Sequence, residues 1–131
     1  AIHIANDFIY GIGGGKKPGI NVEALTANSS VMTCLANDTG YENIFSKQLE
    51  AKGKKNDLLI CLSGSGNSKN IINVINQANK MSMISFAILG YDGGKSKDIV
   101  QYPIHIPIND MQISEDMQMI IFNMCLKWFN R

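Results

Sequence analysis

Three small hydroxyl residues and two glycines, in the run Ser63-Gly64-Ser65-Gly66-Asn67-Ser68, follow five uninterrupted apolar residues, Leu58 to Leu62, and precede a helical pattern from Lys69 to Met81. Residues of these types at such a junction are suited to holding an anion. Glycine lets backbone approach a ligand closely. The first N–H groups of a helix have no intrahelical partner, and together with the helix dipole they favour negative charge. A phosphate is a natural guest for such a turn. A purely structural alternative stays open, in which Asn67 or Ser68 only caps the helix and the glycines only tighten the turn.

A second constellation lies near the start of the chain. Ile2, Ala5, Phe8, Ile9 and Ile12 recur at helical spacing, which predicts the end of an amphipathic helix. On that helix His3 and Asp7 are four positions apart, so they share one face, and two side chains so placed can share an ion.

The elements that must position these groups follow from the apolar pattern. Leu58 to Leu62 and Ile84 to Leu89 read as strands covered on both faces, joined by the helix from about Lys69, and this is the pattern of a parallel unit with a right-handed crossover. Ile20 to Thr26 reads as a strand, Ser29 to Leu35 as a short helix, and Tyr41 to Lys52 as one helix. Gly90-Tyr91-Asp92-Gly93-Gly94 is a turn cluster, and Val100 to Ile106 is a shorter strand that Pro103 pushes toward the sheet edge. His105, in that strand, reads as a strand or core residue. The run Gly13-Gly14-Gly15-Lys16-Lys17-Pro18 has no periodicity and reads as a flexible connection. Met111 to Phe129 is a long, nearly all-apolar helix, and so much apolar surface predicts burial against another subunit as well as the sheet. Tyr10, Trp128 and the methionines read as packing residues.

Composition narrows the class. At 131 residues the chain fits one domain, and 45% hydrophobic with 18% charged residues places it among globular proteins. No apolar run approaches the roughly 18 residues of a membrane-spanning helix. A net charge of +1 with scattered lysines gives no footprint for nucleic acid. Cys34, Cys61 and Cys125 lack CxxC spacing and sit in apolar runs, so they read as small core residues in a reducing compartment; the expectation is a cytoplasmic protein.

Leu62-Ser63-Gly64-Ser65-Gly66-Asn67-Ser68, followed by a helix, a strand and Leu89-Gly90-Tyr91-Asp92-Gly93-Gly94-Lys95, resembles the sugar isomerase (SIS) domain, and within it the phosphoheptose isomerases. Ala24-Leu25-Thr26-Ala27-Asn28-Ser29-Ser30, Asn37-Asp38-Thr39-Gly40-Tyr41-Glu42-Asn43-Ile44-Phe45 and His3-Ile4-Ala5-Asn6-Asp7 match the family pattern too. The resemblance implies a three-layer α/β/α sandwich around a parallel, doubly wound, flavodoxin-like sheet of about four to five strands. It also implies a homotetramer binding a sugar phosphate between subunits, with no nucleotide cofactor. Carried over by position, Ser63, Gly64, Ser65, Asn67 and Ser68 would hold the phosphate, and Thr26 and Asp38 would contact substrate. For Asp38 an Asx turn is the alternative.

The family interconverts sedoheptulose 7-phosphate and a mannoheptose 7-phosphate, the D-glycero-D-manno form, through an enediol. That chemistry needs a base at the carbon beside the carbonyl and an acid or metal at the oxygen. The resemblance implies a carboxylate and a histidine for these roles, beside a divalent metal, zinc, in many members. His3 matches the family histidine, whereas Asp7 stands where a glutamate is usual. On the last helix the family pattern of glutamine, histidine and histidine is met by Glu115, Gln118 and Asn123. Asn123 cannot exchange a proton near neutral pH. Asp7 and Glu115 are therefore the candidate bases, with Asn123 at the position of the catalytic histidine, and His3, Asp7 and Glu115 are the candidate metal ligands. Glu115 beside Asp116 reads equally as an acid complementing the helix dipole. Residues 1–131 read as a single SIS domain lacking the family's N-terminal helix and first Gly/Ser loop. Two functions are carried forward, a sugar-phosphate isomerase and a non-catalytic phosphosugar-binding or oligomeric scaffold module.

Overall fold

The structure is a computed structural model and describes residues 1–131. Its centre is a parallel sheet of β1 (Leu58–Ser63), β2 (Ile84–Leu89) and β3 (Tyr102–His105), laid side by side in chain order. Leu58 pairs with Ile84 and Ser63 with Leu89; Phe86 pairs with Tyr102 and Leu89 with His105. All three strands therefore end on one side, and the turns that follow them crowd together there.

Strand alternation sends successive side chains to opposite layers. Leu59, Cys61, Ala87 and Leu89 meet a layer made by α3 (Ser46–Lys52), α4 (Lys69–Lys80) and α5 (Gly94–Ile99), where Leu49, Val74, Ile75, Ala78, Met83 and Val100 complete a dry cluster. Ile60, Leu62, Phe86 and Ile88 face α1 (Ile2–Asn6) and α6 (Met111–Phe129) on the other side. There Phe8 meets Phe122 edge-on, with ring centroids 5.8 Å apart, a geometry that aromatic quadrupoles favour. The two faces are unequal. Ile75, Ala78, Ala87 and Leu89 are wholly buried on the first, whereas Ile60, Leu62, Phe86 and Ile104 on the second are only half-buried.

The three-layer parallel architecture is the expected one, with three strands rather than four or five. Ile20 to Thr26 forms no ladder. Its backbone groups are used by Ile20 N–H donating to Phe8 O, by the turn Ala27 N–H to Ala24 O, and by Leu25 O accepting from Gln48 Nε2. β1 pairs only with β2, so this segment has no strand beside it.

Four more differences have local causes. The helix α2 runs Ser29–Thr39, longer than read, because Asn28 caps it through Val31 N–H at 3.0 Å. Gly40 at φ 90° then breaks the chain, so Tyr41 to Lys52 divides into a 3-10 turn, Tyr41–Asn43, and α3. Gly94–Ile99 is helical although it carries too few apolar residues to show a period. Residues Ile12–Gly15 are a 3-10 turn tied to the end of α6, since Asn130 donates to Gly11 O at 2.9 Å and accepts from Gly13 N–H; the connection is not free.

Packing roles also shift. Cys61 is buried as expected, but Cys34 is exposed on α2, and Tyr10 and Trp128 stand 71% and 64% exposed rather than packed. No helix is long and apolar enough to cross a membrane.

At the carboxyl end of the sheet two glycine turns interlock. Gly66, at φ 65°, lies so close beneath Gly93 that a Cβ on it would sit 1.9 Å from the Gly93 carbonyl oxygen. Ser96 N–H donates to Gly66 O at 2.9 Å, and Gly90 N–H to Gly64 O at 2.9 Å. Both the torsion and the clearance demand glycine.

Two expectations follow for stability and reactivity. Gly66→Ala combines a left-handed torsion with a backbone clash, so urea unfolding should show a loss of at least about 2 kcal/mol. Burial pushes the Cys61 thiol from 9.0 up to about 12. The unfolded thiol then ionises first, so Cys61 lowers stability as pH rises from 9 toward 12 and has no such effect below 9. A maleimide should label Cys34 in the native chain and Cys61 only after unfolding, even though the neighbouring Asp38, through a hydrogen bond first and its charge second, raises the Cys34 thiol. Equal native labelling of the two would contradict this packing.

Candidate functional site

The serine and glycine turn connects β1 to α4, and its side chains divide between bracing and open functions. Ser63 is buried and accepts from Gly66 N–H at 3.1 Å, so its oxygen shapes the turn from beneath. Ser65 Oγ accepts from Asn67 N–H at 3.2 Å, while Asn67 donates to Ser65 O at 3.2 Å and accepts from Lys95 N–H at 3.1 Å. Asn67 thus ties the turn to the start of α5.

Ser68 occupies the cap position of α4 with extended torsions, φ −63° and ψ 125°, yet its side chain makes no capping bond. Its carbonyl accepts from Ile71 and Ile72 N–H. The hydroxyl of Ser68 and the N–H groups of Ser68, Lys69 and Asn70 have no protein partner, which leaves a cluster of donors at the positive end of a twelve-residue helix. Neither Asn67 nor Ser68 caps the helix, so the purely structural reading of the turn fails. Asn70 Oδ1 and Ser96 Oγ are buried beside it without partners, as occurs where water or a ligand completes a polar site.

The first turn of α6 crosses the same end of the sheet. A Cβ on Gly64 would lie 2.3 Å from Met111 Sδ, and one on Gly90 would lie 2.5 Å from Ser114 Oγ. Glu115 follows Ser114 and is exposed; Gln118 is buried, and Asn123 is exposed farther along. An open cavity of about 420 Å³ adjoins Asn67 and is lined by Asp92, Gly94, Lys95, Lys97 and Asp98. That volume suits a small metabolite. Sequence reasoning treated this second glycine turn as a connection only; the signal was Gly93-Gly94-Lys95 placed directly after a buried strand.

His3 and Asp7 meet as the helical spacing requires, Nε2 to Oδ2 at 3.3 Å, with the histidine mostly exposed. Asp7 begins a π-helical turn, Asp7–Gly11, and also accepts from Asn6 Nδ2 at 3.3 Å. Such irregular turns occur often at functional positions. Thr26 lies exposed in the Ala24 to Ala27 turn. Asp38 lies inside α2 rather than in an Asx turn, accepting from Asn37 Nδ2 at 2.8 Å and from Cys34 Sγ at 3.6 Å. No hydrogen bond joins Thr26 or Asp38 to the cradle.

The metal reading requires at least a third ligand. No group of three His, Cys, Asp or Glu side chains in the chain lies close enough to hold an ion. The structure brings His3 and Asp7 together but does not add Glu115 to them. One copy of the chain therefore does not provide a metal centre.

Comparison with known proteins agrees with this geometry. Residues 1–90 match the family described as the SIS domain. The phosphoheptose isomerase of Akkermansia muciniphila is 37% identical over 106 residues, 81% of this chain and 56% of the relative. Phosphoheptose isomerase 2 of Campylobacter jejuni is 39% identical over 107 residues, 82% of this chain and 53% of the relative. The chain thus spans little more than half the length of these curated relatives. Among solved structures, a phosphoheptose isomerase from Neisseria gonorrhoeae superposes with a TM-score of 0.89 at 27% identity, covering 99% of this chain and 68% of that one. One from Francisella tularensis gives 0.93 at 22% identity, covering 99% and 69%, and supports the fold alone. An anion cradle at the carboxyl end of a parallel sheet, a matching family over most of the chain and homologous relatives converge, and the chain belongs to the SIS domain family.

Proposed function

We propose that residues 1–131 act as one SIS unit that binds a sugar phosphate and serves a ketose–aldose isomerase of the phosphoheptose type, interconverting sedoheptulose 7-phosphate and D-glycero-D-manno-heptose 7-phosphate. The observation that carries this reading is the set of unpaired donors on Ser68, Lys69 and Asn70 at the opening of α4. Ser65 and Ser68 add hydroxyls to the phosphate site, Gly64 and Asn67 supply close backbone, and Ser63 braces the turn. Thr26 and Asp38 are proposed sugar contacts.

In this reading Asp7 removes the proton from the carbon beside the carbonyl, and His3, 3.3 Å from it, exchanges a proton with the substrate oxygens. Glu115, beside the cradle on α6, is the second candidate base. Asn123, at the position where the family pattern has a histidine, orients an oxygen by hydrogen bonding and carries no proton. The exposed ridge of Ile113, Ile120, Met124 and Trp128 on α6 supports assembly with further copies, a tetramer in this proposal. A cytoplasmic location is consistent with a phosphorylated metabolite as substrate.

A second reading rests on Asn123, because an amide there breaks the acid–base pair. The chain would then bind a phosphosugar without turning it over, as a sensing or scaffold module.

Incubation with sedoheptulose 7-phosphate in deuterated water separates the two. Isomerisation places deuterium at the exchanging carbon; binding without incorporation at high protein concentration supports the module and rejects the enzyme. If turnover occurs, Asp7→Asn should lower kcat by about 10²-fold or more. Paired Ser65→Ala and Ser68→Ala should raise KM about tenfold through lost charge-assisted bonds. Asn123→His should raise the rate.

A further inference from the structure

His105 ends β3 opposite Leu89, half-buried on the edge of the cradle's supporting turn. Its Nδ1 lies 3.1 Å from Lys97 Nζ and its Nε2 lies 2.9 Å from the Tyr91 carbonyl oxygen. These partners fix the proton. An ammonium only donates and a carbonyl only accepts, so Nδ1 is the bare nitrogen and Nε2 carries the hydrogen.

Both partners belong to the structure that presses on the anion turn. Tyr91 is held at φ 48°, a left-handed conformation that a bulky residue keeps only when its surroundings impose it. Its N–H donates to Ile108 O at 3.2 Å, and its carbonyl is fixed by His105. Two residues on, the Gly93 carbonyl covers Gly66, and Lys95 N–H holds Asn67. Lys97 lies on α5, whose Ser96 N–H donates to Gly66 O. One imidazole thus grips the turn at one nitrogen and the helix at the other.

We infer that His105 is a positioning residue for the anion cradle: it holds the Gly90 to Gly94 turn and α5 together against the Ser63 to Ser68 turn. This rests on the anion reading proposed above. The ring touches no part of that cradle directly and acts through backbone.

Inorganic phosphate, titrated by phosphorus NMR into the full chain, tests it alongside urea unfolding of each variant. His105→Leu should weaken phosphate binding about tenfold in the folded protein. His105→Gln, which keeps an N–H donor at similar reach, should recover affinity to within about threefold of the unmodified chain. A residue that merely fills space would change the unfolding midpoint and leave phosphate affinity alone. Unchanged affinity in folded His105→Leu, or no recovery with Gln, overturns the inference. Where His105→Leu does not fold, His105→Asn replaces it, its shorter amide losing the Tyr91 carbonyl. A loss of threefold or more then supports the inference, and a smaller one overturns it. If the unmodified chain binds no phosphate, the anion reading itself fails, a result distinct from binding that is indifferent to position 105.

Discussion

Backbone against backbone, Gly66 beneath the Gly93 carbonyl, is the contact on which the functional end of this molecule depends. Parallel strands finish on the same side, so the turns leaving β1 and β2 compete for one volume. Any side chain at Gly66 would force them apart. With glycine there, the hydrogen bonds Ser96 N–H to Gly66 O and Lys95 N–H to Asn67 Oδ1 close, and the first turn of α4 is aimed outward with its donors free. The cradle is therefore a property of two turns in register, and the register of β1 on β2 sets their meeting point.

The sheet divides the labour between its faces. On one side α3, α4 and α5 bury a continuous apolar cluster that fixes where α4 begins. Opposite it, α1 and α6 carry the candidate acid–base groups on a more lightly covered surface. Stability resides mainly in the first layer, which leaves the second open to contacts outside the chain. Asp7, His3, Glu115 and Asn123 all belong to this second layer.

Much of this was legible from residue order, and the exceptions have physical causes. Buried strands and the amphipathic α4 announce themselves because apolar periodicity encodes burial directly. The anion turn was readable because small hydroxyls and glycines at a strand-to-helix junction have few other uses. Ile20 to Thr26 was not, since a strand-like pattern becomes a strand only when a neighbour pairs with it. The short α5 was hidden because its helicity comes from docking on Gly66 rather than from its own residues. Cys34 misled for a similar reason: its apolar neighbours on α2 cover little of it in this chain. The pairing of His105 with Lys97 and Tyr91 depends on tertiary approach that no local spacing reveals.

β1 stands at the border of the sheet, with its outer row of amides and carbonyls free of any ladder. An open, mostly apolar ribbon of this kind is a template for further strands and hence for fibrillar growth. Lys54, Lys55 and Asp57 sit immediately ahead of it and are exposed; charges so placed oppose stacking of like ribbons. Handling of this polypeptide at high concentration or high ionic strength, where that repulsion is screened, is consequently governed by a six-residue border rather than by the chain's average hydropathy.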